Sequence, residues 1–285
     1  MAKKDRTARN EVFTQQHAQS QGITTRNVMR EDFGLEIPVE SIPLPSKGIV
    51  YPNGSSLHNQ ETVDVTAMTA REEDILTSRA LIKKGTVITE LLRSCIVNKD
   101  TNPDHILSGD RNALMTAIRV TGYGADYVVE VECPDCDEKS KQTFDLTDLP
   151  IKRLELVPMD IGVNIFEVEL PRTKKRIQFK FLTGADEREM SVTSERRKKS
   201  GFQGDSVVTQ RFRQQIVAID GVTDKGKINM FISHMPAGDS LFLRKYIDRN
   251  EPGIEMKAWM ECAHCFEHSE VRLPMGASFF WPDVE

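Results

Sequence analysis

Two short motifs, Cys133-Pro-Asp-Cys136 and Cys262-Ala-His-Cys265, stand at matched positions of a sequence that repeats itself, and that repetition limits the possible folds more than any other feature. Sliding the chain against itself by 129 residues lays positions 105–140 on 234–269 without a gap, and eleven of thirty-six pairs are identical. They include His105/His234, Gly109/Gly238, Asp110/Asp239, Leu114/Leu243, Ile118/Ile247, Gly124/Gly253 and both cysteine pairs. Upstream, Val63, Val65 and Met68 to Glu73 match Ile177, Phe179 and Leu182 to Glu187 at a shift of 114. Leu92 to Val97 resembles Phe212 to Val217 at a shift of 120, so the order of elements is kept and only the spacers differ. A period this long implies two related subdomains; a solenoid stacks shorter units several times.

The expected class is α+β with two pseudo-repeats, each a β-hairpin followed by helices and a hairpin knuckle that carries one cysteine pair. The expected boundaries are an N-terminal arm over 1–35, a first repeat over 36–150 and a second over 151–285. The arm is rich in Gln, Thr, Arg and Asn and lacks a sustained apolar period, as flexible or extended chain does. To residue 30 it carries Lys3, Lys4, Arg6, Arg9, Arg26 and Arg30 against Asp5 and Glu11. Such a segment suits an acidic surface or nucleic acid, and equally a solvated tail.

From Leu35 the text is punctuated by Pro38, Pro43, Pro45 and Pro52, which predicts edge strand or chain laid along a surface. Val63 and Val65 alternate with polar residues as a half-buried strand does, with Asn53-Gly54 as a preceding turn. Thr69 with Glu72 reads as a capping box, and Thr183 with Asp186 as a weaker version. Further helices are expected over 86–97 and 109–120, matched by 206–219 and 239–249. Asp110 and Asp239 would take the free N–H groups at their helix starts. Gly124 and Gly253 would serve the helix C-terminal turns. Strands over 127–131 and 143–146, and over 256–260 and 271–273, would place both cysteine pairs at hairpin tips.

The chain has 285 residues and a formal net charge of −5, which gives no general attraction to nucleic acid. No apolar run approaches the roughly 20 residues of a membrane span, and the start lacks the apolar core of a secretory signal. Synthesis in the cytosol is therefore expected, where thiols stay reduced and five cysteines do not make a disulfide framework. Cys95, alone in an apolar stretch, reads as a small buried hydrophobe.

A Cys-x-x-Cys turn presents two sulfurs to one metal, and two such turns supply the four ligands of a structural zinc. Two separate sites would need further ligands in each copy. His264 and His268 stand near the second pair, but Asp135 and Lys139 near the first. One site shared by Cys133, Cys136, Cys262 and Cys265 uses only the residues that repeat, and is preferred. A redox dithiol would need a helix start within a βαβ unit, which neither pair has. His105 and His234 read as capping or packed side chains or, less simply, as ligands. Arg196-Arg197-Lys198-Lys199 reads as a solvated helix end or a contact patch. No phosphate loop, nucleophile elbow or His-Glu-x-x-His occurs, so an enzyme is not expected.

The run Leu44-Pro45-Ser46-Lys47-Gly48 to Tyr51-Pro52 is followed by Val65 to Leu76, Asp110-Arg111, Arg119, Gly122-Tyr123-Gly124 and the first cysteine pair. This order resembles the T4-type bacteriophage baseplate hub and hub-assembly proteins of contractile tails, most clearly over 44–150. The resemblance implies a non-enzymatic part in a tail baseplate, partnered by other baseplate and tail proteins; the lack of a long apolar run and the net charge speak against membrane and nucleic-acid partners. It places the protein in the host cytoplasm during assembly, and then either in the virion, in the tail baseplate, or, for an assembly chaperone, outside it. A zinc-ribbon protein that binds nucleic acid or regulates is the alternative, with the arm and the 196–199 run on phosphates. The cysteine tips, Pro134, Asp135, Ala263 and His264, speak against it because they offer no basic or aromatic cluster.

Overall fold

The computed structural model describes residues 37–199, 207–275 and 277–280 as a mixed α/β chain of eight helices and small antiparallel sheets. The expected arm over 1–35 lies outside the described residues. Strand β1 (Val39–Pro43) pairs antiparallel with β2 (Thr62–Thr66), setting Ile42 opposite Val63. The Pro-rich loop between them is not laid along the surface, because Leu44, Ser46, Val50 and Tyr51 are all buried. Asp110 makes this possible. Its carboxylate accepts the Ser46 N–H at 2.9 Å, the Ser46 hydroxyl at 2.5 Å and the Tyr51 hydroxyl at 2.5 Å. The Tyr51 oxygen in turn accepts the N–H of Leu107 at 3.0 Å. Polar groups satisfied in this way let an irregular, proline-broken loop enter the core.

Helix α1 (Ala70–Thr77) starts at the Thr69–Glu72 capping box as expected. A short α2 (Arg79–Lys84), which the sequence did not suggest, ends at Gly85 with φ +66°. Helix α3 (Val87–Cys95) stops two residues before the expected end, and Ile96 bridges back to Val65. Helix α4 (Ser108–Tyr123) buries Leu114 and Ile118 on one face. It ends at Gly124, whose φ of +88° is the turn expected there. Strands β3 (Asp126–Glu132) and β4 (Lys139–Asp145) form the first cysteine hairpin. Its register sets Glu130 opposite Lys141 and Glu132 opposite Lys139, pairs that favour this alignment.

After β5 (Ile151–Lys152) the second half opens with a sheet of β6 (Phe166–Glu169), β7 (Arg176–Phe179) and β8 (Ile216–Ile219). Phe166, Phe179 and Phe181 pack there with ring centroids 4.7–5.8 Å apart. Helix α5 (Gly184–Lys199) carries the basic run at its C-terminal end. Helix α6 (Val207–Gln215) ends where the run Ile216-Val217-Ala218-Ile219, rich in β-branched residues, begins, so the last four residues of the expected helix over 206–219 are strand. Packing against β7 overrides the helical spacing: Phe179 pairs with Ile216 and Ile177 with Ile219. Helix α7 (Lys225–His234) was not foreseen, while α8 (Ala237–Asn250) was. Then come β9 (Gly253–Ile254), which pairs with β5, and the second cysteine hairpin, β10 (Lys257–Glu261) with β11 (His268–Arg272).

Two sequence expectations change at the helix starts. Asp110 and Asp239 do not cap their own helices; Asp110 grips the loop after β1 and Asp239 the loop after β6. Asp239 accepts the N–H groups of Arg172 at 2.9 Å and Thr173 at 3.0 Å. Gly253 is no helix-end turn either. Its place is a close backbone crossing, where a Cβ on Gly109 would lie 1.7 Å from the Pro252 carbonyl oxygen.

The two halves share one contiguous apolar core. Between them Ser108 donates its N–H to Leu182 at 2.8 Å, and Arg188 pairs with Asp104 at 2.7 Å. Arg119, 1% exposed, donates to the carbonyls of Phe279 at 3.1 Å, Gly124 at 2.7 Å and Asp126 at 2.9 Å. The Tyr127 hydroxyl holds the Pro274 carbonyl at 2.9 Å, and its ring meets Phe279 edge-on at 5.1 Å. The chain's last described residues are thereby bound to the end of α4 and the start of β3.

Candidate metal centre

Each cysteine pair occupies the tip of its hairpin, and the two tips have one backbone geometry. In the first, Cys133 N–H donates to the Glu138 carbonyl at 2.9 Å and Asp137 N–H to the Cys133 carbonyl at 2.9 Å. In the second, Cys262 N–H donates to the Glu267 carbonyl at 3.0 Å and Phe266 N–H to the Cys262 carbonyl at 2.9 Å. The residue after the second cysteine, Asp137 or Phe266, is left-handed in both, with φ 59°. Side chains rarely adopt that conformation without a compensating contact. Here it turns the chain sharply enough for both sulfurs of a pair to point the same way.

The tips face each other. All four Sγ atoms lie within 4.8 Å of one another, with Cys133 to Cys265 at 3.8 Å and Cys136 to Cys262 at 3.7 Å. Those separations are far too long for a disulfide bond, and the cysteines are free. They fit the edge of a thiolate tetrahedron: with metal–sulfur bonds of about 2.3 Å the sulfurs stand about 3.8 Å apart. Cys133 and Cys262 are fully buried, while Cys136 and Cys265 are partly exposed. N–H groups of Cys265 and His264 aimed at its sulfur draw the Cys262 thiol down to about 6, whereas burial and the neighbouring thiols push Cys136 up to about 12 and Cys265 upward, so in the metal-free cluster the charge is favoured on Cys262 alone. The His264 N–H reaches that sulfur at 3.4 Å.

Four cysteines can therefore hold one metal ion, and they form the one such cluster among the described residues. His264 and His268 lie outside it; His268 is exposed, with Nε2 3.6 Å from Glu261. His105 is exposed on a short 3₁₀ turn, Pro103–His105, and the His234 ring bonds the Met230 carbonyl at 2.8 Å. Neither histidine joins the cluster. Cys95 is fully buried in the core, and its thiol is pushed up to about 12 by burial and by the Glu72 carboxylate. Two contacts beside the cluster were not legible in the sequence: the Ser269 hydroxyl donates to Asp135 across the tips, and Gln142 Nε2 to the Glu261 carbonyl at 3.3 Å. Ser269 is one of the repeated residues, but its partner Asp135 does not recur, so no pattern marked the pair.

Fold and cluster together define a mixed α/β protein whose two distant cysteine hairpins meet at a single four-thiol centre. The family model of the T4 bacteriophage base plate protein matches residues 51–281, and the chain belongs to that family. Comparison with curated proteins and with solved structures found no match. No helix among the described residues is long and apolar enough to cross a membrane.

Proposed function

We propose that the protein is a non-enzymatic structural or assembly component of a contractile tail baseplate, at its hub. In this reading one zinc ion, held by Cys133, Cys136, Cys262 and Cys265, clamps two copies of a single ancestral unit. The observation that carries it is the meeting of four sulfurs from two hairpins inside a chain of the base plate family. Four thiolates leave a zinc ion no open position for water or substrate, so its contribution is folding energy. Matched details favour two copies of one unit. Val65 pairs with Ile96 as Phe179 pairs with Ile216, and Asp110 and Asp239 hold the loops after β1 and β6, the first strands of two matching hairpins. The boundaries of the units would fall near residue 150.

Function then resides on the surfaces that the clamp holds. The segment joining the halves presents Val157, Met159 and Ile161 to solvent, at 86%, 51% and 74% exposure. Apolar side chains gathered in this way mark protein contacts, which suits partners among other baseplate and tail proteins. The Pro-rich segment, being buried, is not such a surface. Mass spectrometry of purified tails and of assembly intermediates tests the assignment. Stoichiometric recovery with hub proteins is expected, whereas absence from both, together with salt-sensitive nucleic-acid binding by the purified chain, would overturn it.

A further inference from the structure

An open cleft lies between the bases of the two cysteine hairpins, about 700 Å³ in volume. Asp145 and Asp148 from the first half face Glu255 and Glu270 from the second, and Lys257 is the one basic residue in the lining. Lys257 is already engaged, 3.7 Å from Glu255 and 3.2 Å from Glu270. Trp259, opposite Glu270 on β10–β11, stands 70% exposed at the cleft. A bare indole among carboxylates suits guanidinium and ammonium groups, which stack on the ring while pairing with the acids.

We propose that this hairpin face and cleft receive the chain's own basic N-terminal segment, residues 1–30. That segment carries six Lys or Arg against two acids, a net +4, in a chain of net −5. Residues 31–285 accordingly carry −9, so charge complementarity between segment and body is strong. A path of contacts links the first described residues to the cleft wall. Pro38 accepts the N–H of Ala67 at 3.2 Å, and the Met68 side chain would meet a Cβ on Gly122 at 3.1 Å, near the end of α4. Two residues past that helix, Ala125 accepts the N–H of Leu146 at 3.0 Å, next to Asp145 of the cleft wall. A segment of thirty residues spans up to about 100 Å when extended, far more than is needed.

Limited trypsin digestion of the full chain tests this, with cleavage after Arg26 and Arg30 as the readout. The variant D145N/D148N/E255Q/E270Q should be cut there about tenfold faster than the unmodified chain at low salt, and raising the salt should abolish the difference. A control that neutralises exposed carboxylates elsewhere, E167Q/E169Q, should behave like the unmodified chain. Unaltered circular dichroism guards against unfolding. Zero-length carbodiimide coupling should join Lys3 or Lys4 to cleft carboxylates within one chain. Equal cleavage of the cleft variant and the unmodified chain would overturn the proposal. So would coupling of those lysines only between chains, as expected for a neighbouring copy, or only to carboxylates outside the cleft.

Discussion

Replacing Cys262 by Ser gives the sharpest test of the shared centre. The substitution removes one sulfur of four and also the acceptor of the His264 N–H. A structural zinc supplies apparent binding of about 10–16 kcal/mol that counts as folding energy. Without it, the hydrogen bonds described between the tips are Ser269–Asp135, worth about 1.5–3 kcal/mol with its charged acceptor, and Gln142–Glu261, worth about 0.5–1.5 kcal/mol. The expected loss is at least about 5 kcal/mol, comparable with the whole stability of an ordinary domain. Metal analysis should show one zinc per chain in the unmodified protein and none in the variant, and chemical denaturation should show the loss of stability. Amide exchange locates the effect. Because one ion joins both hairpins, C262S should accelerate exchange in β3–β4, 126 residues away at Cys136, as much as in β10–β11. Exchange rising in β10–β11 alone would refute the shared site, as would zinc retained in full by the variant.

Gly109→Ala places a methyl carbon 1.7 Å from the Pro252 carbonyl oxygen, where backbone rather than a flexible side chain must move. A loss of about 3 kcal/mol or more in thermal or denaturant unfolding is expected, although alanine favours an isolated helix. Burial pushes the Asp186 carboxyl up, but Lys180 at 2.7 Å and the Thr183 N–H and hydroxyl outweigh it and hold the group below the usual carboxylate range. A pKa lowered on folding adds stability that is present above the unfolded value of about 4 and lost as pH falls through the folded one. Asp186→Asn should therefore cost about 1–2 kcal/mol near neutrality, discounted for the part-exposed Lys180, and the difference from the parent should shrink as the pH falls below the unfolded value of about 4. Cys95, with its thiol at about 12 and no exposed surface, should resist alkylation in the folded protein. Labelling at the rate of an unfolded chain would contradict its place in the core.

Much of the local architecture was legible in residue pattern. The Thr69–Glu72 capping box, the alternation at Val63 and Val65, the Leu114/Ile118 face and the two cysteine hairpins need only neighbouring residues, and they appear where expected. Local preference gives way where a distant contact overrides it. Ile216–Ile219 continues a helical spacing but is drawn into a sheet by β7, and the proline-broken loop is buried because Asp110, some sixty residues later, satisfies its polar groups. Repetition marked Asp110 and Asp239 as special without telling that each reaches outside its own helix.

The cysteine centre divides in the same way. Spacing within each pair already determined two chelating turns, because a Cys-x-x-Cys hairpin orients its sulfurs by backbone bonds over a few residues. Comparison of the copies favoured one shared site by excluding histidines that do not recur. Only the tertiary structure decided that the sulfurs meet, at 3.7 and 3.8 Å across more than 120 residues of sequence. That closure depends on long-range packing: Gly109 against Pro252–Gly253, Arg119 on the C-terminal carbonyls, and one core continuous through both halves. Hairpin geometry is a local minimum that a short sequence can encode, whereas the approach of two hairpins is set by the summed burial of everything between them.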